Sequence, residues 1–157
     1  MGKMHGSCVC GAIKVDVDGD VMTGICHCID CRKTSGTTAV PWLMCATSAV
    51  DIKGQPKGFT TRSSNKYEVK RWFCPECGSG THLTMPNPEM VGLMGGLFPP
   101  HTLPPPNMEL FCKNKESWEA SFGDNVRVCD EQPDWAAEAA EREKAGAAGA
   151  AGVAQGH

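Results

Sequence analysis

Between residues 13 and 18 apolar and charged side chains alternate, with Ile13, Val15 and Val17 set against Lys14, Asp16 and Asp18. A period of two marks a strand with one face buried, and Gly19-Asp20 then turns the chain. Residues 38–44 form an apolar, strand-like run. Pro41 within it has no N–H for a ladder, which predicts an edge strand or a bulge. Further strands are predicted over residues 49–53, 58–62, 66–73, 83–85, 90–97 and 108–113, separated by Gly, Pro, Ser and Asn. Many short strands joined by turn residues predict a mainly β architecture.

Two stretches interrupt the series. Residues 98–107 hold five of the eleven prolines (Pro99, Pro100, Pro104, Pro105 and Pro106). They exclude a helix or a central strand and predict a stiff surface loop, either a plain connector or a rim over a site. Beyond Pro133, which suits a first helical turn, residues 135–144 are rich in Ala and Glu and predict one short helix. Residues 145–157 are Ala/Gly low complexity, too poor in side chains to pack, and are expected to be disordered. The expected organisation is one domain over 1–130, followed by an Ala-rich helix and tail over 131–157.

Composition narrows this picture. A chain of 157 residues with 41% hydrophobic side chains has room for one domain with a real core. No apolar run approaches the ~18 residues that cross a bilayer. The first six residues lack the apolar stretch of a secretory leader, and Gly6 stands where a myristoylation signal needs Ser or Thr. The expected location is cytoplasmic, with no membrane partner. The formal net charge is -3. Residues 130–157 carry six acids against two bases, which leaves the rest of the chain at +1. That near-neutral body argues against a nucleic-acid partner. One stretch is basic: Lys53, Lys57, Arg62, Lys66, Lys70 and Arg71, opposed by Glu68. It reads as the solvated face of a hairpin or as a docking surface for a small anionic substrate.

The ten cysteines change the picture most. In a reducing compartment they are thiols, metal ligands or reactive groups rather than disulfides. Seven fall in three groups: Cys8 and Cys10; Cys26, Cys28 and Cys31; Cys74 and Cys77. Cys74-Pro75-Glu76-Cys77-Gly78 has the form of a zinc knuckle, in which Gly78 lets the backbone fold back so that amides point at sulfur. A knuckle is half a tetrahedral site, and Cys8-Val9-Cys10-Gly11 can supply the other half. The four thiolates would then staple the N-terminal strand to the middle of the chain. The group Cys26, Cys28 and Cys31 has no partner pair. Three ligands and an open position are the pattern of a catalytic zinc, and three thiolates suit that metal to thiol chemistry better than to hydrolysis. A closed site with His27 or another side chain as fourth ligand is the alternative. Cys45, Cys112 and Cys129 stand alone and are expected to be buried small hydrophobes.

Three ordered motifs carry a resemblance. They are residues 6–13 (Gly-Ser-Cys-Val-Cys-Gly-Ala-Ile), residues 26–36 (Cys-His-Cys-Ile-Asp-Cys-Arg-Lys-Thr-Ser-Gly) and residues 73–79 (Phe-Cys-Pro-Glu-Cys-Gly-Ser). Glu109-Leu110-Phe111-Cys112-Lys113 with the later Trp118 adds to them. Over roughly residues 6–125 the chain resembles the glutathione-dependent formaldehyde-activating enzymes, a family grouped with centromere protein V. The resemblance implies a β-tent fold of short antiparallel strands stapled by zinc, with two zinc ions. It places the structural zinc on Cys8, Cys10, Cys74 and Cys77 and the catalytic zinc on Cys26, Cys28 and Cys31. It also implies condensation of glutathione with formaldehyde to S-hydroxymethylglutathione, formally a carbon–sulfur lyase reaction.

Three functions follow. The first is a zinc enzyme acting on a small-molecule thiol adduct, possibly of glutathione. In it Arg32 and Lys33 would hold a substrate carboxylate, and Asp30 and His27 would shuttle protons. The plainer reading of Arg32 and Lys33 is surface charge, and of His27 a ring pointing to solvent. His82 and His101 are weaker candidates. The second is a zinc Lewis acid acting on a small carbonyl or enol without glutathione, its pocket shaped by Phe98 and His101. The third is a zinc-stabilised binding module with two closed sites.

Overall fold

The computed structural model describes residues 2–62 and 67–135, and beyond them 137, 138, 140, 141 and 144. The strands and the helix α1 run in the order β1 Met4–Ser7, β2 Lys14–Val17, β3 Met22–Cys26, α1 Ile29–Ser35, β4 Val40–Ala46 and β5 Val50–Lys53. There follow β6 Lys57–Arg62, β7 Glu68–Phe73, β8 Gly80–Thr84, β9 Met90–Met94, β10 Met108–Leu110 and β11 Arg127–Cys129. The fold is mainly β, as the alternation and the turn residues predict.

The strands form two open sheets. The smaller has the order β1-β2-β5 and the larger β11-β10-β3-β4-β9-β8-β7-β6. Pairing is antiparallel except at β10, which lies parallel to both β3 and β11. The expectation of antiparallel strands fails there for a topological reason. The long connection over 98–107 brings the chain back to start β10 alongside β3 in the same direction, as a parallel pair requires. The core lies between the sheets. Met4, Val15 and Val17 from the smaller meet Leu43, Cys45, Val91 and Leu93 from the larger, closed by Leu97 and Phe98. Val15 and Val17 are buried as the period of two demands, while Asp16 between them bonds His5 and Lys53 at the surface.

Several local expectations are corrected. Pro41 does not mark an edge, since β4 sits between β3 and β9 near the middle of the larger sheet. The ladder with β9 starts at Trp42, so Pro41 leaves no gap on that side. The run 90–97 is strand only to Met94 and then a single 3-10 turn, and 108–113 is strand only to Leu110. The strand expected over 66–73 begins at Glu68, and Lys66 lies outside the described residues. The elements β1, β3, β11 and α1 were not predicted. At the C-terminus, Asp134 accepts from the Ala137 amide and the described residues of 135–144 are helical, so Pro133 falls just outside the helix. Arg127 on β11 ties that segment down through Glu138. Residues 145–157 lie outside the described residues.

Candidate functional site

The cysteine groups come together as two clusters, Cys8/Cys10/Cys74/Cys77 and Cys26/Cys28/Cys31, with the sulfurs of each within 4.8 Å of one another. Each can hold a metal ion. A tetrahedron of Zn–S bonds places sulfurs about 3.8 Å apart, and Cys8–Cys10 and Cys10–Cys74 stand at 3.5 and 3.6 Å. The donor set, all sulfur, suits a soft ion such as zinc.

The four-thiol cluster is built from two turns. After β1, the Cys8 amide donates to the Ile13 carbonyl and the Ile13 amide donates to the Cys8 sulfur at 3.2 Å. That amide holds the Cys8 thiol below its ordinary range. After β7, the Cys74 amide donates to the Ser79 carbonyl and the Gly78 amide to the Cys74 carbonyl. Gly11 and Gly78 have φ of 76° and 74°, the left-handed backbone that each turn requires. One turn belongs to the smaller sheet and the other to the larger, so the cluster joins them. Cys8 and Cys74 are buried against Ile13, whereas Cys10 and Cys77 are exposed.

The three-thiol cluster is local. Cys26 ends β3, Cys28 caps α1 by accepting from the Cys31 amide, and Cys31 lies in the first helical turn. Gly36, at φ 72°, closes the helix with its amide on the Arg32 carbonyl. Hydrogen bonds from Cys26 and Cys31 drive the Cys28 thiol strongly down, and the Arg71 charge adds to this. Among the described residues no fourth cysteine, histidine or carboxylate joins these three. Cys28 instead lines a pocket of 390 Å³ with Ile29, Asp30, Arg62, Phe111, Lys113, Asn114 and Glu131.

The other residues singled out by the sequence lie around this cluster in different ways. Asp30 lines the pocket and faces Arg71 at 3.6 Å. Arg32 donates to the Asn114 carbonyl at 2.6 Å and to Glu116 Oε1 at 2.5 Å, so its guanidinium braces the segment after β10. Lys33 is exposed. His27 does not point to solvent. It is fully buried, with Nε2 2.8 Å from Glu109 Oε1 and Nδ1 donating to the Thr38 carbonyl at 3.0 Å. His82 stacks on Trp72 and burial lowers it to about 4, while His101 is exposed in the loop. Neither lines the pocket at Cys28, and nor does any residue of 98–107, so the Pro-rich loop is no rim over it. Phe98 packs in the core. The lone Cys45 is buried as expected, but Cys112 and Cys129 are half-buried because they flank β10 and β11 at the sheet edge. The basic stretch is not one surface: Lys53 pairs with Asp16 and Asp51 on the smaller sheet, and Arg71 is buried.

Arg71 is a site residue that the sequence did not single out as such. Its Nη1 lies 3.8 Å from the Cys31 sulfur and its Nε donates to Thr61 at 3.3 Å. Glu109 and Lys115 are two more. Lys115 Nζ donates to Glu109 Oε1 at 2.6 Å, behind His27. The sequence does not place any of the three beside the cluster, because Arg71 meets Cys31, and Glu109 meets His27, across long separations in the chain.

Residues 3–114 match the family described as glutathione-dependent formaldehyde-activating enzyme. The chain belongs to that family. A crystal structure of a Rhodobacter sphaeroides protein is similar at 25% identity and a TM-score of 0.48, covering 65% of this chain and 92% of that one. No curated protein matches the chain. Among the described residues no helix is long and apolar enough to cross a membrane.

Proposed function

We propose that this member of the family is a zinc enzyme that makes or breaks the carbon–sulfur bond between a glutathione-type thiol and an aldehyde. The observation that carries the reading is a cluster of three thiols without a fourth protein ligand among the described residues, one of which opens into a pocket. Zinc at Cys26, Cys28 and Cys31 would supply an open position and lower the pKa of a thiol that binds there.

The chain's own residues supply the rest. Arg62 and Lys113 line the pocket with cations suited to the carboxylates of a glutathione-type thiol, and Glu131, which pairs with Lys113, faces its ammonium. Phe111 offers an apolar wall to the aldehyde. In the condensation the sulfur–carbon bond forms, the carbonyl π bond breaks, and the thiol proton ends on the new hydroxyl. Of the two carboxylates on the pocket wall, Glu131 is paired with Lys113, and Asp30 can carry that proton. Arg71 keeps a positive charge beside Cys31 and Asp30 throughout. Holding thiol and aldehyde side by side accounts for much of the expected acceleration. Cys8, Cys10, Cys74 and Cys77 hold the structural zinc in this reading.

The test is exchange between ¹³C-formaldehyde and glutathione followed by NMR, together with zinc content, in the parent and in Cys28→Ser. The parent should accelerate exchange and hold two zincs. The variant should stay folded, hold one zinc and lose turnover. Full turnover in a folded Cys28→Ser variant would remove the assignment.

A further inference from the structure

The residue between two of the thiol ligands has every polar atom engaged. The His27 amide donates to the Leu110 carbonyl at 2.9 Å, and its carbonyl accepts from Asn114 Nδ2 at 3.1 Å. Its ring bonds the Thr38 carbonyl on one side and Glu109 on the other. His27 and Glu109 are both fully buried. Cys28 is extended, and in extended chain successive side chains point to opposite sides. Cys26 and Cys28 therefore face the cluster while His27 faces Glu109. Glu109 reaches this place because β10 pairs with β3 in parallel, with Glu109 opposite Ile25. Lys115 bonds the same carboxylate oxygen, and Glu109 Oε2 is buried without a partner among the described residues. A carboxylate oxygen buried without a partner is a costly feature of the interior.

We propose that His27 and Glu109 are positioning residues for the three-thiol cluster. The hydrogen bond between His27 Nε2 and Glu109 Oε1 locks the backbone between Cys26 and Cys28, and so the sulfur spacing that a metal meets. This rests on the reading of that cluster as a metal site. Partners that orient ligands in this way are worth about 10–100-fold in metal affinity. The role requires a hydrogen-bond partner for His27 Nε2 at position 109 rather than a charge.

The test compares two double variants of the full chain, each with Lys115→Met so that no unpaired lysine is left. Glu109→Gln keeps a hydrogen-bond partner for His27, and Glu109→Leu removes it. Zinc affinity is read by chelator competition, and the geometry of each site by the spectrum of the cobalt-substituted protein. The four-thiol site serves as the internal control. The Leu variant should bind zinc at the three-thiol site about 10–100-fold more weakly, with a changed cobalt spectrum, while the Gln variant stays within a few-fold of the parent. A purely structural role would lower the melting temperature and leave the cobalt spectrum alone. Equal affinity in the Leu variant and the parent would overturn the proposal. Should the Leu variant not fold, Asn114→Ala releases only the bond to the His27 carbonyl. It should weaken the three-thiol site and spare the other, and unchanged affinity there overturns the proposal. A parent that binds no metal at Cys26, Cys28 and Cys31 contradicts the zinc reading itself, a different result from equal affinities.

Discussion

The two thiol clusters share one residue type and differ in what surrounds them. The four-thiol cluster draws on turns about 65 residues apart, joins the two sheets and completes its own coordination set. Behind it lie apolar side chains, Ile13 and Ile52. The three-thiol cluster comes from six consecutive residues, and Arg71 reaches its Cys31 sulfur from β7. Behind it lies a polar assembly of His27, Glu109 and Lys115, beside it a buried arginine, and in front of it a pocket. A closed set of thiolates needs only to be held together. On the proposed reading an incomplete one is held in shape from behind, because no fourth protein ligand among the described residues defines its geometry.

Breaking each cluster should separate these roles. Cys74→Ser removes a fully buried ligand of the staple and should have the largest effect on folding. Structural zinc sites contribute on the order of 10 kcal/mol, so thermal unfolding should show loss of a cooperative transition at ambient temperature. A Cys74→Ser variant as stable as Cys28→Ser would erase the distinction between the sites. Arg71→Met should act in the other place. Without the guanidinium beside Cys31, zinc at the three-thiol site should weaken by roughly tenfold, with the four-thiol site unchanged in the same chelator competition.

A third effect concerns a residue outside both clusters. Burial lowers His82 to about 4, below its unfolded value near 6.5. The unfolded chain therefore binds more protons between these values, and stability falls as pH drops through that window. His82→Phe should flatten the fall between pH 6.5 and 4 by about 2–3 kcal/mol relative to the parent, read from urea midpoints at each pH. Parallel pH profiles would contradict a lowered His82 in the folded protein.

Much of this was legible in the sequence. The cysteine partition was, because ligands arrive as local pairs and triples whose members must share an ion. Most strands were also legible from alternation and turn residues. The helix α1 was missed although its signals are present: Asp30 in the first turn, Arg32 and Lys33 in the last, and Gly36 as the cap. Reading residues 26–36 only as a ligand segment hid them. Pro41 misled because a single residue was taken to rule a whole strand, whereas the neighbouring ladder begins one residue later. The placement of Glu109 and Arg71 could not be read locally. It depends on β10 lying beside β3, and on β7 bringing Arg71 against α1 through contacts between residues 31 and 71.

The most direct test of an open and a closed site side by side is a glutathione titration of the cobalt-substituted protein. Glutathione should shift the charge-transfer and d–d bands of one cobalt only, and Cys28→Ser should abolish that shift. No spectral change, or a change at both ions, would contradict the account.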